Sequence, residues 1–126
     1  MPTILHAEDD KGIREGFARR FKRMVGYDVV SAEDGQAAWE LLCTMPTSPD
    51  IIVSDFDMPK MTGGQLLARV RADSKFATIP FTLFTATERD FDGKPLASLC
   101  AELHAHYVDK GKWDGDMQPL LRPMFG

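Results

Sequence analysis

Three carboxylates, a threonine and a lysine in this chain each stand where a short apolar run ends. Glu8 and Asp9 follow Thr3-Ile-Leu-His-Ala7, and Asp55 follows Ile51-Ile-Val-Ser54. Thr85 closes Phe81-Thr-Leu-Phe-Thr85, and Lys110 closes His106-Tyr-Val-Asp-Lys110. Like charges brought together repel unless a proton or a cation joins them. A hard divalent cation with oxygen ligands, Mg²⁺ above all, removes that repulsion. A lysine adds a movable point charge for a phosphoryl group, and a threonine hydroxyl can hydrogen-bond one of its oxygens. An aspartate beside Mg²⁺ and a lysine is the equipment for an aspartyl-phosphate intermediate.

Those residues meet only if the elements between them bring the run ends together. Ile51, Ile52 and Val53 form a continuous apolar run, the pattern of a strand covered on both faces in a parallel sheet. Ile13, Phe17 and Phe21 recur at helical spacing, with Arg14, Arg19, Arg20, Lys22 and Arg23 on the other faces and Gly26 as the stop. Tyr27–Ala32 reads as a second strand, and Asp34 as the N-cap of a helix over Gln36–Met45. A further helix is expected over Gly64–Ala72. Another begins at Pro95, after the Asp92-Gly93-Lys94-Pro95 interruption. Pro119 and Pro123 leave room only for a short or irregular last helix. Strands alternating with helices in this way specify right-handed βαβ units. The natural closure is a flavodoxin-like, doubly wound five-stranded parallel sheet of order 2-1-3-4-5, with helices on both faces. Ligands of such sheets bind outside the carboxyl ends of the strands, where Glu8, Asp9, Asp55, Thr85 and Lys110 fall.

With 126 residues, 44% hydrophobic and 27% charged, the chain reads as one globular domain over 1–126. A net charge of −4 argues against a nucleic-acid surface. No apolar run approaches the roughly 20 residues a membrane span needs, and the acidic N-terminal segment is not a signal peptide. Cys43 and Cys100 both lie in apolar helical patterns and are expected to be buried free thiols in a reducing, cytoplasmic setting. His6 reads as a core histidine, His104 and His106 as exposed or capping residues, and Trp39 and Trp113 as packing or surface residues.

The pieces Ile4-Leu-His-Ala-Glu8-Asp9-Asp10, Asp55-Phe-Asp-Met58-Pro59-Lys-Met61-Thr-Gly63, Phe84-Thr85-Ala86 and Tyr107-Val-Asp-Lys110 resemble the receiver domain of two-component response regulators. The resemblance runs from Thr3 to Lys110 and implies roles. Asp55 would be the phosphoacceptor, charged from a phosphohistidine on a histidine kinase or histidine phosphotransfer protein. Asp9, Asp55 and the Asp57 main-chain carbonyl would hold Mg²⁺, with Glu8 acting directly or through water. Thr85 and Lys110 would bind phosphoryl oxygens, Tyr107 would be the switch aromatic, and Asp57 and Thr87 would tune hydrolysis. The basic face of the first helix is either a solvated surface or the docking face of the phosphodonor.

Four features depart from the family, the first being Glu8 where an aspartate is commoner, a change the family tolerates. Gly111 stands where proline with a cis peptide is usual, so this loop is expected to run trans or take another shape. The stretch from Thr85 to Lys110 is also long and the last helix short, which weakens the expectation of output through the common dimer face. Two other functions compete. A pseudo-receiver would use the same fold to bind a partner without phosphotransfer. A haloacid-dehalogenase-type phosphatase would use Asp55 as nucleophile and Asp57 as general acid/base.

Overall fold

The computed structural model describes residues 2–125. Five strands, β1 (Thr3–Ala7), β2 (Asp28–Ala32), β3 (Ile51–Ser54), β4 (Phe81–Thr85) and β5 (His106–Asp109), form one parallel sheet of order β2-β1-β3-β4-β5. The flavodoxin-like expectation is met. Among the described residues five α-helices connect or follow the strands: α1 (Lys11–Val25), α2 (Gly35–Thr44), α3 (Gly63–Ala72), α4 (Leu96–Glu102) and α5 (Gln118–Leu121).

The sheet separates two apolar layers. Phe17 and Phe21 of α1 and Leu120 and Leu121 of α5 pack on one face with Ile4, Ile51, Val53 and Phe84. Helices α2, α3 and α4 cover the other through Ala38, Leu42, Leu66, Leu67, Val70, Leu96 and Cys100. The central strands β3 and β4 are buried along their whole length, whereas β5 at one edge is half-buried throughout. That is the signature of a sheet sheathed on both sides, and it explains the apolar runs in the sequence.

Local chemistry fixes the helix ends. Asp10 and Asp34 cap α1 and α2 by accepting the amides of Ile13 and Ala37. Thr62 and Gln65 exchange bonds in a capping box at α3, and Gly26 ends α1 with φ 68°. Gly63 starts α3 so close to the Asp55 carbonyl that a Cβ there would collide with it. A side chain at 63 would therefore push the helix off the loop that carries Asp55. Helix α5 is a single turn, continued by a 3₁₀ turn over Arg122–Phe125, and the Thr82 hydroxyl holds it by donating to the Leu120 carbonyl at 2.8 Å.

Several expectations need correction. Ile13 is 47% exposed rather than core, because it lies in the first turn of α1, beyond the cover of the sheet. Cys43 is exposed while Cys100 is buried; on α2 the inward stripe is Ala38 and Leu42, and position 43 turns about 100° away. Burial pushes the Cys100 thiol up to about 11. His104 is exposed at the end of α4 with φ 54°, but His106 is half-buried on β5, where burial and then Arg122 lower its pKa. Both tryptophans pack: Trp39 edge-on to Phe76 and Trp113 edge-on to Phe84.

Candidate functional site

The register of the strands sets the site. Ala7 pairs with Ser54 and Thr85 with Asp109, so β1, β3, β4 and β5 deliver their carboxyl ends to one rim. The Asp55 amide then donates to the Ala7 carbonyl, which locks the loops after β1 and β3 side by side. Glu8 leaves β1 with only 2% of its side chain exposed, and Asp9 is exposed above it. One carboxylate oxygen from each of Glu8, Asp9 and Asp55 lies within 4.8 Å of the others.

Lys110 closes the cluster. Its Nζ donates to Glu8 Oε1 at 2.6 Å and to Asp55 Oδ2 at 3.4 Å, and it lies 5.2 Å from the centre of the Phe84 ring. No peptide bond among the described residues is cis, and the chain enters a 3₁₀ turn at Lys110 instead. Asp109 caps that turn by accepting the Gly111 amide at 2.8 Å. The Gly111 departure therefore changes the loop without withdrawing the lysine.

The electrostatics favour a cation. Burial raises the Glu8 carboxyl above the usual carboxylate range; Lys110 pulls it down, and Asp55 pushes it up again, with a net upward direction. A single ammonium leaves this pocket of three acids short of positive charge. Carboxylate oxygens gathered at this spacing are the donor set a hard divalent ion requires, so Mg²⁺ fits the residues present.

Asp55 uses its other oxygen, Oδ1, to accept the Phe56 amide at 2.7 Å, which points Oδ2 toward Lys110. Thr85 is buried at the end of β4, and its Oγ1 accepts the Thr87 amide at 3.2 Å. The Tyr107 hydroxyl donates to the Thr87 carbonyl at 3.1 Å, and burial, with Asp109 and Glu88 nearby, raises its pKa. Thus Glu8, Asp9, Asp55 and Lys110 form one contact group. Thr85, Thr87 and Tyr107 form a second group on the β4 side. Asp57 is exposed on the loop after β3.

Two contributors escape the sequence patterns. Arg14, which reads as one more residue of a basic face, donates from Nη1 to the carbonyls of Glu8 at 2.9 Å and Asp9 at 3.3 Å. It thereby holds the acidic loop in shape. The only available signal was its position four residues after Asp10, a spacing many surface arginines share. Phe84, an ordinary core residue by pattern, supplies the ring beneath Lys110.

The fold and the acidic rim are those expected of a two-component receiver domain, and the comparisons agree on that family. The family model for the response regulator receiver domain matches residues 4–108, so the chain belongs to that family. The sensor histidine kinase TmoS of Ectopseudomonas mendocina is 38% identical over 110 residues, covering 87% of this chain and 11% of the kinase. The chemotaxis protein CheY1 of Helicobacter pylori is 33% identical over 82 residues, 65% of each chain. The chain thus spans about a tenth of the first relative's length and under two thirds of the second's. Among solved structures, the receiver domain of a signal transduction histidine kinase from Syntrophus aciditrophicus superposes with a TM-score of 0.81 at 26% identity, covering 100% of this chain and 92% of that one. The HemR receiver domain of Leptospira biflexa gives 0.80 at 25%, covering 98% and 94%.

Proposed function

We propose that residues 1–126 act as a single cytoplasmic receiver unit in which Asp55 accepts a phosphoryl group. The donor is a phosphohistidine on a histidine kinase or a histidine phosphotransfer protein. The observation that carries this reading is Lys110 bridging Glu8 and Asp55 at the shared carboxyl end of β1, β3 and β5. An Asp55 carboxylate oxygen attacks the phosphorus; a P–O bond forms while the P–N bond breaks, its electron pair leaving on the imidazole. Glu8, Asp9 and Asp55, with the Asp57 main-chain carbonyl, would hold Mg²⁺, which when bound neutralises charge on the transferring group. Lys110 donates to one phosphoryl oxygen in exchange for its contact with Asp55, and the Thr85 hydroxyl donates to another.

Thr85 cannot turn toward the phosphoryl group without releasing the Thr87 amide, and Tyr107 is tied to the same residue. The switch is therefore a local exchange of hydrogen bonds that biases the β4–α4 loop between two arrangements for an output partner. Asp57 and Thr87 flank the acyl phosphate and set its rate of hydrolysis. Lys110 reaching Asp55 despite Gly111 supports phosphotransfer over a pseudo-receiver, and the match to the receiver family over residues 4–108 supports it over a phosphatase.

Incubation with acetyl phosphate and Mg²⁺ followed by intact mass measurement tests the proposal. One added phosphoryl group is expected, absent in Asp55→Asn and after chelation with EDTA. A folded parent protein that gains none would overturn phosphotransfer to this chain.

A further inference from the structure

The segment between β4 and α4 is a small, hydrogen-bonded hairpin with an aromatic side chain at its tip. Arg89 and Pro95 form an isolated antiparallel bridge, and Asp90 organises the turn between them. Asp90 Oδ1 accepts the amides of Asp92 at 2.9 Å and Lys94 at 2.8 Å, while the Asp90 amide donates to the Lys94 carbonyl at 2.9 Å. Gly93 turns the chain with φ 81°, and Arg89 Nη1 donates to its carbonyl at 2.8 Å. All this order holds Phe91 outward, 82% exposed, with its ring 5.9 Å from that of buried Phe56.

Beside Phe91 runs a groove of about 250 Å³ whose floor includes Phe56, Gly64, Ala68 and Leu99. The only charged side chains lining it, among the described residues, are Asp90 and Asp92. Neither has an ion-pair partner among those residues. The hairpin's own cations are turned elsewhere: Lys94 pairs with Glu102 at 2.9 Å, and Arg89 lines the opposite cleft beside Tyr107. A large apolar side chain displayed in water beside an apolar groove marks an interaction surface. A turn already ordered by hydrogen bonds reduces the ordering cost of association.

We propose that this groove and Phe91 form a docking surface for a cationic amphipathic partner segment, with an apolar or aromatic anchor beside Phe91 and Lys or Arg facing Asp90 and Asp92. The anchor buries against Phe91, Phe56 and Leu99. The flanking cations meet two carboxylates that have no ion-pair partner among the described residues, a complementarity that selects against acidic segments. The hairpin lies in the β4–α4 loop on which the proposed switch acts, and the docking surface is read from, and tested on, the unmodified chain.

Panning a phage-displayed random peptide library against the folded protein, with Phe91→Ser as counter-selection, tests the proposal. Recovered peptides should combine a Trp, Phe or Leu with Lys or Arg. A synthetic copy should bind the parent and weaken roughly tenfold or more with Phe91→Ser and with Asp92→Lys. Both variants should melt as the parent does, since both side chains are exposed. Recovery of no peptide, of acidic peptides, or of peptides indifferent to both substitutions would overturn it. So would a self-association of the parent, seen in sedimentation, that Phe91→Ser abolishes, because the occupant would then be a second copy of the chain.

Discussion

His6 shows what a single residue can cost this fold. It is 1% exposed on β1, stacked on Phe17 with ring centres 3.6 Å apart, and its Nδ1 has no hydrogen-bond partner among the described residues. Burial first, then the charges of Lys110 and Arg14, lower its pKa from 6.5 to about 3. The imidazole is neutral in the folded protein across the ordinary pH range, whereas the unfolded chain protonates it near 6.5. Between those two values the unfolded state binds more protons, so stability falls as pH drops through 6.5 and the loss levels off near 3. The slope from this one residue approaches about 1.4 kcal/mol per pH unit. Urea unfolding at pH 7.5 and pH 5 should show the parent losing more stability than His6→Leu; parallel losses would contradict the buried neutral imidazole. The reading of His6 as a core residue was available in the sequence because it lies inside an apolar strand. The acids and Lys110 were legible for the converse reason: each breaks an apolar run at its end. Arg14 and Cys43 were not, since helical periodicity fixes a face to within a residue and does not say what lies opposite.

Element by element, α3 is tied to its neighbours through Arg71. Its guanidinium donates to four carbonyls: Leu103 at 2.7 Å, Ala77 at 3.2 Å, Ile79 at 2.7 Å and His104 at 3.1 Å. Those groups belong to the turn before β4 and the turn before β5, so one side chain ties α3 to both strand entrances. Burial lowers its pKa, yet an arginine stays charged. Arg71→Met keeps the aliphatic bulk and leaves the carbonyls without a donor, an expected loss of about 2–3 kcal/mol in denaturant unfolding. Arg69→Met, which removes only a stack over Trp39 at 4.4 Å, should cost about 1 kcal/mol or less. Equal effects would show that the four bonds do not hold the turns. The helix positions and the Asp34 cap followed from sequence, but the Arg71 fan did not, because its partners lie up to 33 residues away. Likewise, Gly93 and Pro95 marked an interruption; that the interruption is a hairpin displaying Phe91 depends on Asp90 accepting two amides, which composition does not announce.

At the scale of the whole molecule, function follows from sheet order. Placing β1 between β2 and β3 brings Glu8 and Asp9 beside Asp55, and placing β5 beyond β4 lets a long lysine reach back across the rim. The order was legible because alternating strands and helices of these lengths permit few right-handed closures. The loop after Lys110 was less legible: the missing proline removes one shape without naming its replacement, and the Asp109 cap on Gly111 supplies it. The tail was readable only as short.

Of the three clustered acids, Asp55 is the one we propose carries the phosphoryl group. Treating the acetyl-phosphate-charged protein with borohydride converts an aspartyl phosphate to homoserine, which peptide mass spectrometry locates. Homoserine at position 55 alone is the expected result. Homoserine at position 9 with Asp55 intact, or the reduced product of a glutamyl phosphate at Glu8, would contradict the account and move the chemistry to the other side of the cluster.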